Sequence, residues 1–151
     1  DFKFKCSIGK KGVCNKKVEG DLKTPKGVFN LGNIYYRSDR VQKPFSKLKS
    51  ISIKKNMGWC DDPNSKFYNK LIKIKKNLKI SHEKLYRKDH KYDFFILIKY
   101  NYKNPIMFKG SAIFLHLTKN YLPTKGCIAL CKKDFLILAK LINKKTKIKI
   151  N

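Results

Sequence analysis

The residues best suited to chemistry lie in one short stretch, His116-Leu-Thr-Lys-Asn-Tyr-Leu-Pro-Thr-Lys-Gly-Cys127-Ile-Ala-Leu. It carries a thiol, an imidazole and a glycine whose missing side chain lets backbone amides converge on a reacting carbonyl. Those are the parts of a cysteine acyl-transfer site. Ten residues separate His116 from Cys127, and Pro123, Thr124 and Gly126 among them can turn the chain back on itself. That length is ample to return the thiol to hydrogen-bonding distance of the ring. Alone, His116 would read as a satisfied core histidine at a strand end; followed by Thr124-Lys125-Gly126-Cys127 it reads as a base.

The other cysteines argue for a free thiol and against a metal. Five are present (Cys6, Cys14, Cys60, Cys127 and Cys131), so at least one is unpaired within a monomer. No Cys-x-x-Cys pair occurs and the three histidines are not spaced as ligands beside cysteines, which argues against a structural zinc site. Cys6, Cys14 and Cys60 read as small core or loop residues; a Cys6–Cys14 bridge across a hairpin has no support. Cys131 reads as a bystander rather than a resolving partner for Cys127.

The elements that must position these groups read mostly as strands, all within a single domain over residues 1–151. Phe2 to Ile8 alternates up to the turn at Gly9 to Gly12, and Val28 to Tyr36 starts after the breaker run Glu19 to Gly27. Thr24-Pro25 is expected to be a turn. Lys47 to Ile53 alternates weakly, Met57 to Asn64 has the composition of an ordered loop, and Lys70 to Ile80 alternates apolar residues with lysine. Tyr92 to Tyr100 and Ser111 to Leu117 are near-continuous apolar runs, expected as central strands covered on both faces, so that His116 ends a buried strand. Lys132 to Asn143 carries Phe135, Leu136, Leu138, Ala139, Leu141 and Ile142, which predicts a helix, with a closing strand from Thr146 to Ile150. The expected fold is mainly β, a sandwich or barrel with a C-terminal helix.

The net charge of +27 invites a nucleic-acid reading, since clustered cations displace counterions from phosphates. The excess, however, is 34 Lys against 3 Arg, spread over alternating strands (Lys3 and Lys5, Lys73 and Lys75, Lys147 and Lys149), whereas base and bidentate phosphate readout favour Arg. Specific nucleic-acid binding is therefore disfavoured, and a looser attraction to polyanions such as envelope polymers is compatible with the charge. No stretch reaches the roughly 18 apolar residues of a membrane span, and no export signal opens the chain.

With these motifs in place, the chain resembles the YkuD-type L,D-transpeptidase catalytic domain, in a compact proteobacterial branch. That signature is a His, a loop, then Ser/Thr-x-Gly-Cys and an aliphatic residue, matched by His116 and Thr124-Lys125-Gly126-Cys127-Ile128. Glu19-Gly-Asp with Thr24-Pro-x-Gly27 resembles the family's early turn, and Gly110 to His116 its catalytic-His strand. Tyr35 to Arg40, Gly58 to Pro63, Ser81 to Leu85 and Tyr92-Asp93 resemble the compact branch.

The resemblance implies a cysteine acyltransferase of the periplasm or cell envelope, with an export signal removed or not included. Cys127 would attack an L,D peptide bond of a peptidoglycan stem, His116 would move the proton, and amides near Gly126 would hold the oxyanion. An amine of a second stem would complete a 3-3 or 1-3 cross-link; water in its place would make an L,D-carboxypeptidase. Thr124 would shape the loop, its main-chain carbonyl orienting the imidazole. Acylation of Cys127 by carbapenems is also implied, and no cofactor.

This chain departs from the family pattern twice. Lys125 stands where the family often has His, and Ala129 where it often has Arg, which leaves a substrate carboxylate without its usual partner. Arg37 or Arg40 is the expected replacement, because a guanidinium grips a carboxylate bidentately. Trp59 is a candidate substrate wall, though a lone Trp is more often a core residue. His82 and Lys125 are candidates to line the cleft, and His90 is expected to be exposed. Asp61, Asp62, Glu83 and Asp93 are expected to cap loops, with the cationic centre of diaminopimelate as the other use. A catalytically idle envelope-binding or nucleic-acid-binding domain would need the basic surface alone and would not depend on Cys127.

Overall fold

A computed structural model describes residues 1–151, the whole chain. Eleven strands and one helix form in the order β1 (Val13–Cys14), β2 (Thr24–Pro25), β3 (Gly27–Tyr36), β4 (Ser50–Ser52), β5 (Met57–Cys60), β6 (Leu71–Lys73), β7 (His82–Lys84), β8 (Phe94–Ile98), β9 (Phe114–Leu117), β10 (Ile128–Leu130), α1 (Lys132–Leu141) and β11 (Lys147–Ile150). The main sheet runs β10-β9-β8-β3-β11, with β4 also paired to β3; β6-β5-β7 form a second sheet and β1-β2 a short parallel pair. The fold is mainly β with one C-terminal helix, as the sequence pattern predicts.

The two apolar runs take the centre. Every residue of β8 and β9 is buried, which is why their sequences lack the alternation of a half-wet strand. Their side chains still point alternately to opposite faces. Phe94, Ile96, Ile98, Leu115 and Leu117 join an aliphatic cluster closed by Phe135, Ala139 and Ile142 of the helical segment. Phe95, Leu97 and Phe114 join an aromatic cluster with Trp59, Tyr92 and Tyr35 that also contains Cys127. Helix α1 buries Phe135 and Ala139, four apart on one face, and has Asp134 in its first turn and Lys140 in its last, both favourable to the helix dipole.

Several elements differ from the sequence pattern for identifiable reasons. Phe2 to Ile8 is not a strand; its backbone pairs with the sheet at the single bridge Ser7–Ala129, with Phe4 packed on the aliphatic cluster and Phe2 left exposed. Alternation there had no partner strand to satisfy it. Lys70 to Ile80 shortens to β6, since Asn77 adopts φ +69° and turns the chain out of line. The expected loop at Met57 opens with β5, whose Gly58, Trp59 and Cys60 are buried. Thr24-Pro25 pairs in parallel with Val13-Cys14. The predicted strand from Ser111 begins only at Phe114, because Gly110 (φ +108°) and Ala112 (φ +53°) hold left-handed backbone. Strands β7 and β10 lie outside the predicted set.

Candidate active site

The loop that carries Cys127 is anchored from three directions. Thr124 donates its amide to Ile8 O (2.9 Å) and accepts from the Lys10 amide (2.8 Å), so the N-terminal segment straps it down. Its hydroxyl donates to Cys127 O (2.5 Å) and accepts from the Gly126 amide (3.1 Å), closing a tight local turn. Thr24 Oγ1, itself fully buried, donates to Gly126 O (2.9 Å). Gly126 sits at φ +141°, and a Cβ there would fall 2.9 Å from Lys23 O, so this position requires glycine.

Cys127 follows at the start of β10, which runs parallel to β9 with Ala129 opposite His116. Its Sγ donates to Ala112 O (3.2 Å) and accepts from the Phe114 amide (3.4 Å). The left-handed Ala112 that supplies this carbonyl is held by Asn69, whose Oδ1 accepts from the Ala112 amide (3.0 Å) and from Trp59 Nε1 (2.8 Å). Asn69 Nδ2 in turn donates to Tyr100 O and Asn101 O. Trp59 is thus not a substrate wall: it is fully buried, packs edge-on against Phe114, and contributes through Asn69.

His116 Nδ1 lies 2.8 Å from the Leu117 carbonyl. A carbonyl can only accept, so Nδ1 carries the proton and Nε2 keeps a free lone pair. The orienting carbonyl is therefore Leu117's, not that of Thr124, which is taken by Lys10. Burial pushes the imidazole down to about 4, and the Tyr92 ring stands edge-on at 5.4 Å. Burial, with the Glu83 carboxylate nearby, pushes the Cys127 thiol up to about 12, while Lys17 and the Phe114 amide act in the opposite direction. At neutral pH both groups are uncharged, a thiol and a neutral imidazole, and the resting S–H is directed at the Ala112 carbonyl.

Both groups line one open cleft of about 530 Å³, together with Gly126, Thr124, Lys125 and His82. The Cys127 amide has no protein acceptor, whereas that of Gly126 is spent on Thr124, so the Cys127 N–H is free at this turn. Glu83 also faces the cleft and is bonded by the Tyr92 hydroxyl; burial raises its carboxyl above the ordinary range. Asp61 lines the cleft too and accepts from Ser81 Oγ (2.6 Å). Asp62 and Asp93 do not: Asp62 caps the Asn64 amide, and Asp93 accepts from Arg40 and the exposed His90.

The two arginines expected to grip a carboxylate are committed elsewhere. Arg37 is buried, forked onto Asp39 and stacked on Tyr86, with Nη1 donating to Arg87 O. Arg40 pairs with Asp93 and donates to Asp89 O and Lys88 O. Together they brace the 87–89 loop, and the third arginine on that loop, Arg87, is the one that lines the cleft. Its Nε and Nη2 hold Asp89, which leaves Nη1 without a protein partner. Neither Arg37 nor Arg40 lines the cleft. A hint was available in Arg87 lying two residues beyond the Ser81 to Leu85 motif.

All five cysteines are free, and no group of His, Cys, Asp and Glu side chains could hold a metal ion. Cys131 is the N-cap residue of α1, with no side-chain cap bond. No helix is long and apolar enough to cross a membrane. A family model described as the L,D-transpeptidase catalytic domain, YkuD, matches residues 1–150. No curated protein and no solved structure gives a significant match. The chain belongs to the YkuD family of L,D-transpeptidase catalytic domains.

Proposed function

We propose that this protein is a peptidoglycan L,D-transpeptidase in which Cys127 is the nucleophile and His116 the proton carrier. The observation that carries this reading is a thiol and an imidazole with a free Nε2 lining one open cleft. Nε2 takes the thiol proton as Sγ adds to the carbonyl carbon of an L,D peptide bond. The resulting oxyanion is met by the Cys127 amide. Collapse breaks the C–N bond, the imidazolium returns the proton to the departing D-amino acid, and a thioester remains. An amine of a second stem then adds, Nε2 takes its proton, and the tetrahedral adduct expels sulfur, which is reprotonated. Water in place of the amine gives an L,D-carboxypeptidase.

Arg87 is the proposed replacement for the cation missing at Ala129, with Lys125 lining the same cleft. Its free Nη1 suits one oxygen of the donor stem's terminal carboxylate, in a cleft where the guanidinium is already oriented by Asp89. Arg87→Gln is expected to raise KM roughly tenfold or more, the worth of one charged hydrogen bond, with a smaller change in kcat.

The test is incubation with purified muropeptides followed by mass spectrometry of the products. Dimers from wild type, absent with Cys127→Ala and His116→Ala, support transfer; trimmed monomers alone select the carboxypeptidase. No change in any peptide rules out both enzyme readings and favours a passive envelope-binding role for the basic surface, whereas equal turnover by Cys127→Ala removes Cys127 as the nucleophile. A carbapenem is expected to add once, on Cys127; an adduct on another cysteine would count against the site.

A further inference from the structure

Of 34 lysines, one is buried. Lys17, which lies in the segment before the Glu19-Gly20-Asp21 turn, has a side chain only 3% exposed. Such burial needs a reason, because a desolvated ammonium is costly without partners. Its Nζ donates to Asp21 Oδ1 at 2.7 Å and to no other protein atom, so two N–H bonds have no protein acceptor. The stem passes against Gly110, where a Cβ would fall 2.8 Å from Lys17 Cε, and the ammonium reaches Gly126, where a Cβ would stand 3.4 Å from Nζ. Gly110 thus leaves room for this side chain, and its ammonium ends in contact with the Gly126 turn.

The pair is also oriented. Lys17 lines the cleft and Asp21 does not. The Asp21 carboxylate is turned away, accepting from the Val18 amide (2.8 Å) and the Lys23 amide (2.9 Å). The ion pair is a dipole with its positive end at the 126–127 turn. We propose that Lys17 is a positioning residue for acyl transfer, a fixed positive charge behind the turn that stabilises the anionic sulfur and then the oxyanion that succeeds it. This rests on Cys127 being the nucleophile. The charged groups that act on the thiol are Glu83, which opposes its ionisation, and Lys17, which favours it; both line the cleft with Tyr92 and the neutral His116. Lys17 therefore offsets the one carboxylate that opposes ionisation. No contact with the substrate is required, since charge on sulfur and charge on the carbonyl oxygen arise within one bond of each other.

The experiment is alkylation of each cysteine by iodoacetamide from pH 6 to 10, resolved by peptide mass spectrometry, with thermal unfolding on the same samples. Lys17→Met is expected to slow alkylation of Cys127 about tenfold at fixed pH, the thiolate fraction lost when a thiol rises by one unit, while Cys6 and Cys14 are unaffected. Asp21→Asn leaves the cation unopposed and is expected to change the Cys127 rate in the opposite direction, which no packing defect predicts. Should Lys17→Met unfold the chain, Lys17→Met/Asp21→Asn removes both charges together and is expected to show the same slow Cys127. An unchanged profile in a folded Lys17→Met protein that still turns over muropeptides overturns the role of Lys17 alone. A Cys127 inert in wild type, with no turnover, overturns the nucleophile assignment and this inference with it.

Discussion

The two faces of the main sheet are built from the same strands and differ in nearly everything else. Beneath the helix, Leu31, Ile34, Ile96, Ile98, Leu115, Leu130 and their neighbours make a cluster of 14 buried residues with only Phe94 and Phe135 aromatic. On the other face, half of a ten-residue cluster is aromatic, and Cys127 lies within it. Branched aliphatic side chains fill space without directional demands. Aromatic rings carry polar handles, and on this face those handles are used: Trp59 Nε1 binds Asn69, and the Tyr92 hydroxyl binds Glu83. Along β9, Leu115 and Leu117 serve the first face while Phe114 and His116 serve the second. One strand thus provides stability and site geometry at alternate residues.

The sharpest way to break that division is a pair of substitutions, one per face. Cys127→Ala is expected to abolish turnover completely and to move the melting temperature by no more than a few degrees. Phe135→Ala, fully buried under the sheet, is expected to cost about 3–5 kcal/mol. For a chain of this size that lowers the melting temperature by roughly 10 °C or more, with turnover per folded molecule unchanged below the transition. Loss of activity in Phe135→Ala at a temperature where circular dichroism shows it folded would mean that the faces are mechanically one unit.

The next effect in size is a pH dependence that belongs to the aromatic face. His116 falls from an ordinary 6.5 to about 4 because burial disfavours its charged form. Between those values the unfolded chain binds a proton that the folded chain does not, so stability falls as pH falls from about 6.5 towards about 4 and the contribution is intact above that window. The span corresponds to roughly 3 kcal/mol. Urea midpoints of wild type and His116→Gln should converge across that window as pH falls; parallel curves would place the ring in contact with water.

Much of this arrangement was legible in the sequence, and what was not has a common cause. β8 and β9 declared themselves because strands covered on both faces need unbroken apolar runs, and α1 because Phe135, Ala139 and Ile142 repeat at the helical period. Cys127 and His116 stood out by spacing within one short stretch. Lys17 did not, because 34 lysines look alike until burial separates one of them. Arg37 and Arg40 misled because their guanidinium groups are already taken, Arg37's by the neighbouring Asp39 and Arg40's by Asp93, which only tertiary contact brings near. Asn69 stayed hidden for the same reason: its partners are Trp59, Tyr100, Asn101 and Ala112, scattered over more than fifty residues of chain.

Asn69 offers the smallest and most specific test, because it lies outside the cleft and reaches the thiol only through the backbone. Its amide is buried and fully bonded, so Asn69→Ala leaves the Trp59 N–H and the Ala112 N–H without their acceptor, at a cost of about 1–3 kcal/mol. That loss alone would fit any buried asparagine. The distinguishing outcome concerns Ala112, a non-glycine residue at φ +53° whose carbonyl receives the Cys127 S–H. Left-handed backbone at alanine is maintained only by its surroundings, so removing Asn69 should let the turn relax and the carbonyl withdraw from sulfur. Site-resolved alkylation of Cys127 and kcat should then both change in a protein that circular dichroism reports as folded, whereas KM should hold, since Asn69 does not line the cleft. A folded Asn69→Ala protein with wild-type thiol reactivity and kcat would show that the aromatic face supports the turn at 110–112 without governing the sulfur.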